Sequence, residues 1–152
     1  RPVLLGGIFK ATGNSGPAFT VASKMPYMFK DLERLVTHYH LPFAMPAQFP
    51  ANTVTVQRLL CAASDSERAA LTLKLYHAYW GQGKDITNVE LLTELAGAEL
   101  VAKTQDEAIK NQLKANTEEA VARGAFGAPT FFVGDEMYFG EDRLFLVHEA
   151  IK

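Results

Sequence analysis

The chain has 152 residues, of which 48% are apolar, 21% charged and 11% aromatic, with a net charge of −2 and a pI near 6.1. Its length and apolar content exclude disorder and suit one domain, and no stretch reaches the ~18 uninterrupted apolar residues of a membrane helix. Charges are mixed along the chain, leaving no footprint for nucleic acid or an acidic membrane, so one soluble, cytoplasmic globular domain is expected.

The chain opens Arg1-Pro2-Val3-Leu4-Leu5, with no polar lead-in, as if entering inside a strand, and an upstream segment is expected. Val3 to Phe9 is a short apolar run closed by Lys10-Ala-Thr-Gly-Asn14 and Ser15-Gly16-Pro17, which predicts a buried strand followed by a turn. After Pro26, Met28, Leu32, Leu35 and Tyr39 recur at helical spacing, and that helix ends before Pro42. Pro42, Pro46 and Pro50, set among Phe43, Met45 and Phe49, read as an extended, packed connection.

Three capping boxes punctuate the middle: Ser64/Glu67, Thr87/Glu90 and Thr104/Glu107. They predict helices of roughly 66–80, 88–97 and 105–123, with another near 53–63, and Gly81 and Gly124 as the residues that close two of them. Pro129-Thr-Phe-Phe-Val133, Gly134-Asp135 and Glu136-Met-Tyr-Phe139 spell strand, two-residue turn and strand. Gly140-Glu141-Asp142 then opens a last helix, Leu144 to Ile151. Cys61, the one cysteine, excludes an internal disulfide and a four-ligand zinc site within these residues. It reads as a small buried hydrophobe, and the four histidines form no metal-ligand pattern, so no metal is expected.

Strand, helical block, hairpin and terminal helix match the back half of a thioredoxin-type layout. The expected fold class is therefore α/β: one domain over residues 1–152. Residues 1–9 and 128–152 form the thioredoxin part, about 22–123 form a helical insertion, and the first β-α unit is absent.

The motifs that fill this layout resemble one family. They are Leu4-Leu-Gly-Gly-Ile-Phe-Lys10, Gly13-Asn14, Gly16-Pro17, Phe49-Pro50-x-Asn52-Thr53, Tyr79-Trp80-Gly81, Gly124-Ala-Phe-Gly-Ala-Pro129 and Gly134-Asp-Glu-Met-Tyr-Phe-Gly-x-Asp142-Arg143. Together they resemble the 2-hydroxychromene-2-carboxylate isomerases, bacterial relatives of the kappa-class glutathione transferases within the DsbA-like thioredoxin superfamily.

The resemblance implies glutathione as cofactor, a small aromatic carboxylate as substrate and a homodimer. The implied chemistry is reversible thiolate addition to an aromatic pyruvate, bond rotation and elimination. It implies an activating serine upstream of Arg1 and no catalytic residue within the chain itself. Glutathione contacts would come from Ala128, Pro129, Phe139, Gly140, Glu141 and Asp142: the backbone of Ala128 pairs with the tripeptide, and Asp142 takes its ammonium. Glu141 departs from the family pattern, which has Asn there. Lys10, Asn14, Asn52 and Thr53 would line the substrate site.

Blander roles are open for several of these residues. Asp142 and Asn52 could be helix caps, Asn14 an Asx turn, Lys10 a solvated lysine and Gly127-Ala128-Pro129 a plain turn. Three other functions remain open as well: a kappa-like glutathione transferase, a DsbA-like oxidoreductase with an upstream Cys-x-x-Cys, and a non-catalytic glutathione-binding remnant.

Overall fold

A computed structural model of the protein describes residues 1–14 and 21–152. The expected Ser15-Gly16-Pro17 turn lies outside these residues. In chain order the helices are α1 (Leu5–Thr12), α2 (Lys24–His38), α3 (Val54–Ala62) and α4 (Asp65–Tyr76), the last running into a π-helical turn, His77–Gly81. Next come α5 (Val89–Ala96), α6 (Ala98–Lys103) and α7 (Glu107–Ala122). Strands β1 (Thr130–Val133) and β2 (Glu136–Phe139) follow, then a 3-10 turn, Glu141–Arg143, and α8 (Leu144–Ala150).

The predicted strand over Val3–Phe9 is corrected: residues 1–4 have no regular structure, and the rest of that run is helix α1. Leu4 and Ile8 satisfy a helical period as well as a strand run, and length alone could not decide between them. Lys10 in the last turn and Gly13 at φ +70 form an ordinary helix C-terminus. Burial explains the outcome, since Ile8 is 1% exposed and a Cβ on Gly7 would stand 3.1 Å from Thr117 Cγ2. The helix can approach α7 closely because Gly7 has no side chain.

Of the three capping boxes only Ser64/Glu67 forms reciprocally. Asn88, not Thr87, caps α5 by accepting from the amides of Glu90 and Leu91, while the Thr87 hydroxyl donates to Asp85 at 2.6 Å. Thr104 donates to the Val101 carbonyl, and α7 begins behind Asp106 without a side-chain cap. Gly81 does not close a helix; it is the last residue of the π turn, and the positive φ belongs to Gly83. A separate short helix, α6, was not predicted. The Glu99–Lys103 ion pair at 2.9 Å is the one-turn spacing that signals it.

The core gathers Val56, Leu59, Leu71, Leu75, Tyr79 and Leu92 from α3, α4, the π turn and α5. Trp80 packs against this core and stacks with Phe43, with ring centroids 6.2 Å apart. Helix α2 lies outside the core: none of its residues is buried, and Met28 and Leu35 of its apolar stripe, with Tyr39 just past its end, are exposed. The sheet among the described residues is the antiparallel pair β1–β2, with Thr130 opposite Phe139 and Val133 opposite Glu136. Arg123, at the end of α7, grips the hairpin. Its guanidinium lies 3.9 Å above the Phe132 ring, and Nη2 donates to the Gly134 carbonyl at 2.6 Å. Among the described residues no helix is long and apolar enough to cross a membrane.

Candidate functional site

Helix α7 ends in a Schellman arrangement that aims the chain toward the site. Gly124, at φ +91, donates its amide to Val121, and Ala125 donates to Ala120, each at 2.9 Å. Ala125 is 1% exposed and anchors the turn. The next residues, Phe126-Gly127-Ala128-Pro129, cross to β1. Gly127 sits under the Phe139 ring, where a Cβ would come within 3.0 Å of Cε2. The Thr130 hydroxyl donates back to the Gly127 carbonyl at 2.8 Å. The Ala128–Pro129 peptide is cis, and both residues are exposed. Among the described residues, no partner meets the backbone amide or carbonyl of Ala128.

The second segment lies directly beside the first. The Gly140 amide donates to the Pro129 carbonyl at 3.0 Å, extending the β1–β2 ladder by one bond. Gly140 adopts φ +103, ψ 147, a conformation for glycine alone, and the space beside its Cα holds the Asp142 carboxylate. Asp142 accepts a 2.6 Å bond from Arg143 and keeps two thirds of its side chain in solvent. It caps nothing: Gly140 precedes the 3-10 turn, and Arg143 precedes α8. Phe126 and Phe139 lie against each other at 4.6 Å between centroids, both about two-fifths exposed. Ala128, Pro129, Phe139, Glu141 and Asp142 are exposed and lie on two adjoining segments, joined at the buried Gly140.

Helix α1 reaches the same place through its end. The Asn14 side-chain amide donates to the Phe126 carbonyl at 3.0 Å, two residues before Ala128. Lys10 is exposed in the last turn of α1 and makes no ion pair with any described residue. Asn52 and Thr53 stand apart. Asn52 accepts from the Val54 amide at 3.1 Å and so satisfies the start of α3, with Thr53 as the residue before the helix. No hydrogen bond joins either of them to the Ala128 or Asp142 segments. An apolar groove of about 220 Å³ between α2, Phe49 and Trp80 contains none of the predicted site residues.

Cys61 is half-buried, and burial pushes its thiol above the ordinary range against a weaker opposing pull from Arg68, so it is not poised as a thiolate. Among the described residues, no three His, Cys, Asp or Glu side chains gather into a metal-binding group.

The family model described as a DSBA-like thioredoxin domain matches residues 1–152. The chain belongs to the DsbA-like thioredoxin family. Within that family it is 31% identical to a 2-hydroxychromene-2-carboxylate isomerase of Sphingobium xenophagum, over 95% of this chain and 77% of that protein. It is 32% identical to glutathione S-transferase kappa 1 of Rattus norvegicus, over 97% of this chain and 74% of that protein. A solved structure of 2-hydroxychromene-2-carboxylate isomerase superposes with a TM-score of 0.82 at 29% identity, covering 98% of this chain and 76% of that one. The DsbA-like fold is thus mostly helical here, with the small antiparallel hairpin carrying the candidate surface.

Residues that the sequence did not single out hold this surface in place. Arg123 fixes the hairpin, Gly127 makes room for Phe139, and Thr117 and Asn116 secure the start of α1. Composition offers no signal for the last two, because polar residues in mid-helix ordinarily face solvent.

Proposed function

We propose that this protein is a glutathione-dependent isomerase acting on 2-hydroxychromene-2-carboxylate or a related aromatic pyruvate. The observation that carries this reading is the Gly140 amide to Pro129 carbonyl bond. It joins the residue after Ala128, whose backbone has no partner among the described residues, to the residue two before Asp142, whose carboxylate is exposed. An extended tripeptide with a free ammonium needs those two features together. The kappa glutathione transferase relatives support the choice of glutathione.

When bound, glutathione would supply the thiol that adds to and leaves the substrate. The chain's own residues bind and orient the two molecules. Ala128 offers an amide and a carbonyl to the peptide, Asp142 offers its carboxylate to the ammonium, and Phe126 and Phe139 exclude water from one flank. Lys10, exposed in the last turn of α1, would answer the substrate's carboxylate or phenolate. Asn52 and Thr53 are proposed as the far wall of the substrate site, and a homodimer in the cytoplasm as the working state. Isomerisation of 2-hydroxychromene-2-carboxylate, followed by absorbance across a glutathione series, tests the reading. A rate that rises with glutathione while the thiol is conserved is expected, and a rate indifferent to glutathione would overturn it. The second reading, a kappa-like transferase, is favoured by similarity of the same order to the rat enzyme, and net conversion of glutathione to a conjugate would select it.

A further inference from the structure

Helix α7 carries two polar side chains in the interior, Asn116 at 7% and Thr117 at 9% exposure, and both are spent on the N-terminal segment. The Thr117 hydroxyl donates to the Leu113 carbonyl at 2.8 Å and accepts the Leu4 amide at 3.0 Å. Asn116 donates to the Pro2 carbonyl at 3.0 Å, and its own oxygen is held by Gln112 at 2.8 Å. Leu4 is the residue from which α1 starts, and no side chain of its own caps that helix. Gly7, one turn on, lies so close to Thr117 that even a methyl group would press on Cγ2 at 3.1 Å.

The far end of α1 is tied by Asn14 to Phe126, and Phe126 follows α7 directly through the Gly124 turn. One rigid helix therefore holds both the element that bears Lys10 and the loop that bears Ala128. Buried, fully bonded side chains have little freedom to shift, which suits them to fix a distance between two elements.

We infer that Thr117, with Asn116 beside it, is a positioning residue that sets Lys10 of α1 against the Ala128–Pro129 loop. The inference rests on the isomerase reading and adds residues remote from the ligand surface. Thr117→Val keeps the shape and removes the bond to Leu4, whereas Thr117→Ser keeps the hydroxyl. The expected result is a fall of about tenfold in kcat for Thr117→Val, with the KM for glutathione within about twofold, and recovery in Thr117→Ser. In Lys10→Met the same Thr117→Val change has no further effect, because there is no lysine left to place.

Gly7→Ala, which displaces α1 without touching the hydroxyl, repeats the loss and serves where Thr117→Val fails to fold. An active parent whose Thr117→Val and Gly7→Ala forms turn over normally, or lose activity additively with Lys10→Met, overturns this inference alone. Measured in the whole natural protein, an inactive parent overturns the isomerase reading and this inference with it.

Discussion

A Cβ on Gly140 would lie 2.5 Å from Oδ1 of Asp142, so the carboxylate occupies room that only glycine leaves. The same glycine holds φ +103, where other residues are strained by roughly 1–3 kcal/mol. Gly140→Ala is expected to lower stability within that range, readable as a shift in the urea midpoint. It is also expected to displace Asp142 and weaken glutathione binding. Unchanged stability and unchanged binding together would contradict the role assigned to this turn.

Asp142 itself supports no helix end; its partner is Arg143. Asp142→Ala should therefore leave thermal stability nearly unchanged and weaken glutathione binding by about 1–3 kcal/mol, the usual scale of a lost charge-assisted hydrogen bond. Isothermal calorimetry checks this, and equal affinities for the two proteins would remove Asp142 from the site.

The Ser64/Glu67 box gives a pH dependence. Hydrogen bonds from the Ser64 hydroxyl and amide hold the Glu67 carboxyl below its ordinary range. A group whose folded pKa is depressed contributes stability that is present above its unfolded pKa and lost as pH falls through the folded value. The cap should thus be intact at neutral pH and fade as pH falls below the ordinary glutamate range. Glu67→Gln should flatten that part of the acid melting profile relative to the parent, and an identical acid profile would count against the bond.

Burial raises the Cys61 thiol, and Asn116 Nδ2 lies 3.8 Å from its sulfur. Alkylation by iodoacetamide at pH 8 should run well below the rate of a free thiol in the native protein and recover on unfolding in urea. Rapid native labelling would show an accessible thiolate.

How much of this was legible depended on whether a signal was local. Ser64 and Glu67 sit three residues apart, so the helix they start was visible in the sequence, and so was the Gly134-Asp135 hairpin. The Gly140–Asp142 segment was singled out in the sequence by its resemblance to a family. Helix α1 was not legible as a helix, because Leu4 and Ile8 fit two periods and the choice was made by contact with Thr117, more than a hundred residues away. Asn88 took the cap from Thr87 because Asp85 already held the Thr87 hydroxyl, a competition that motif spacing does not record. Asn14 and Asn52 both read as binding residues, yet their visible bonds go to Phe126 and Val54. Short polar side chains satisfy the nearest backbone group as readily as a ligand.

The most direct test of the proposed glutathione site is to titrate glutathione into the 15N-labelled protein and follow the backbone amides. The account predicts saturable shifts concentrated at Ala128, Gly140, Glu141 and Asp142, with Asn52 and the groove beside Trp80 unmoved. Saturable binding that leaves those four amides in place, or no binding at all, would contradict it.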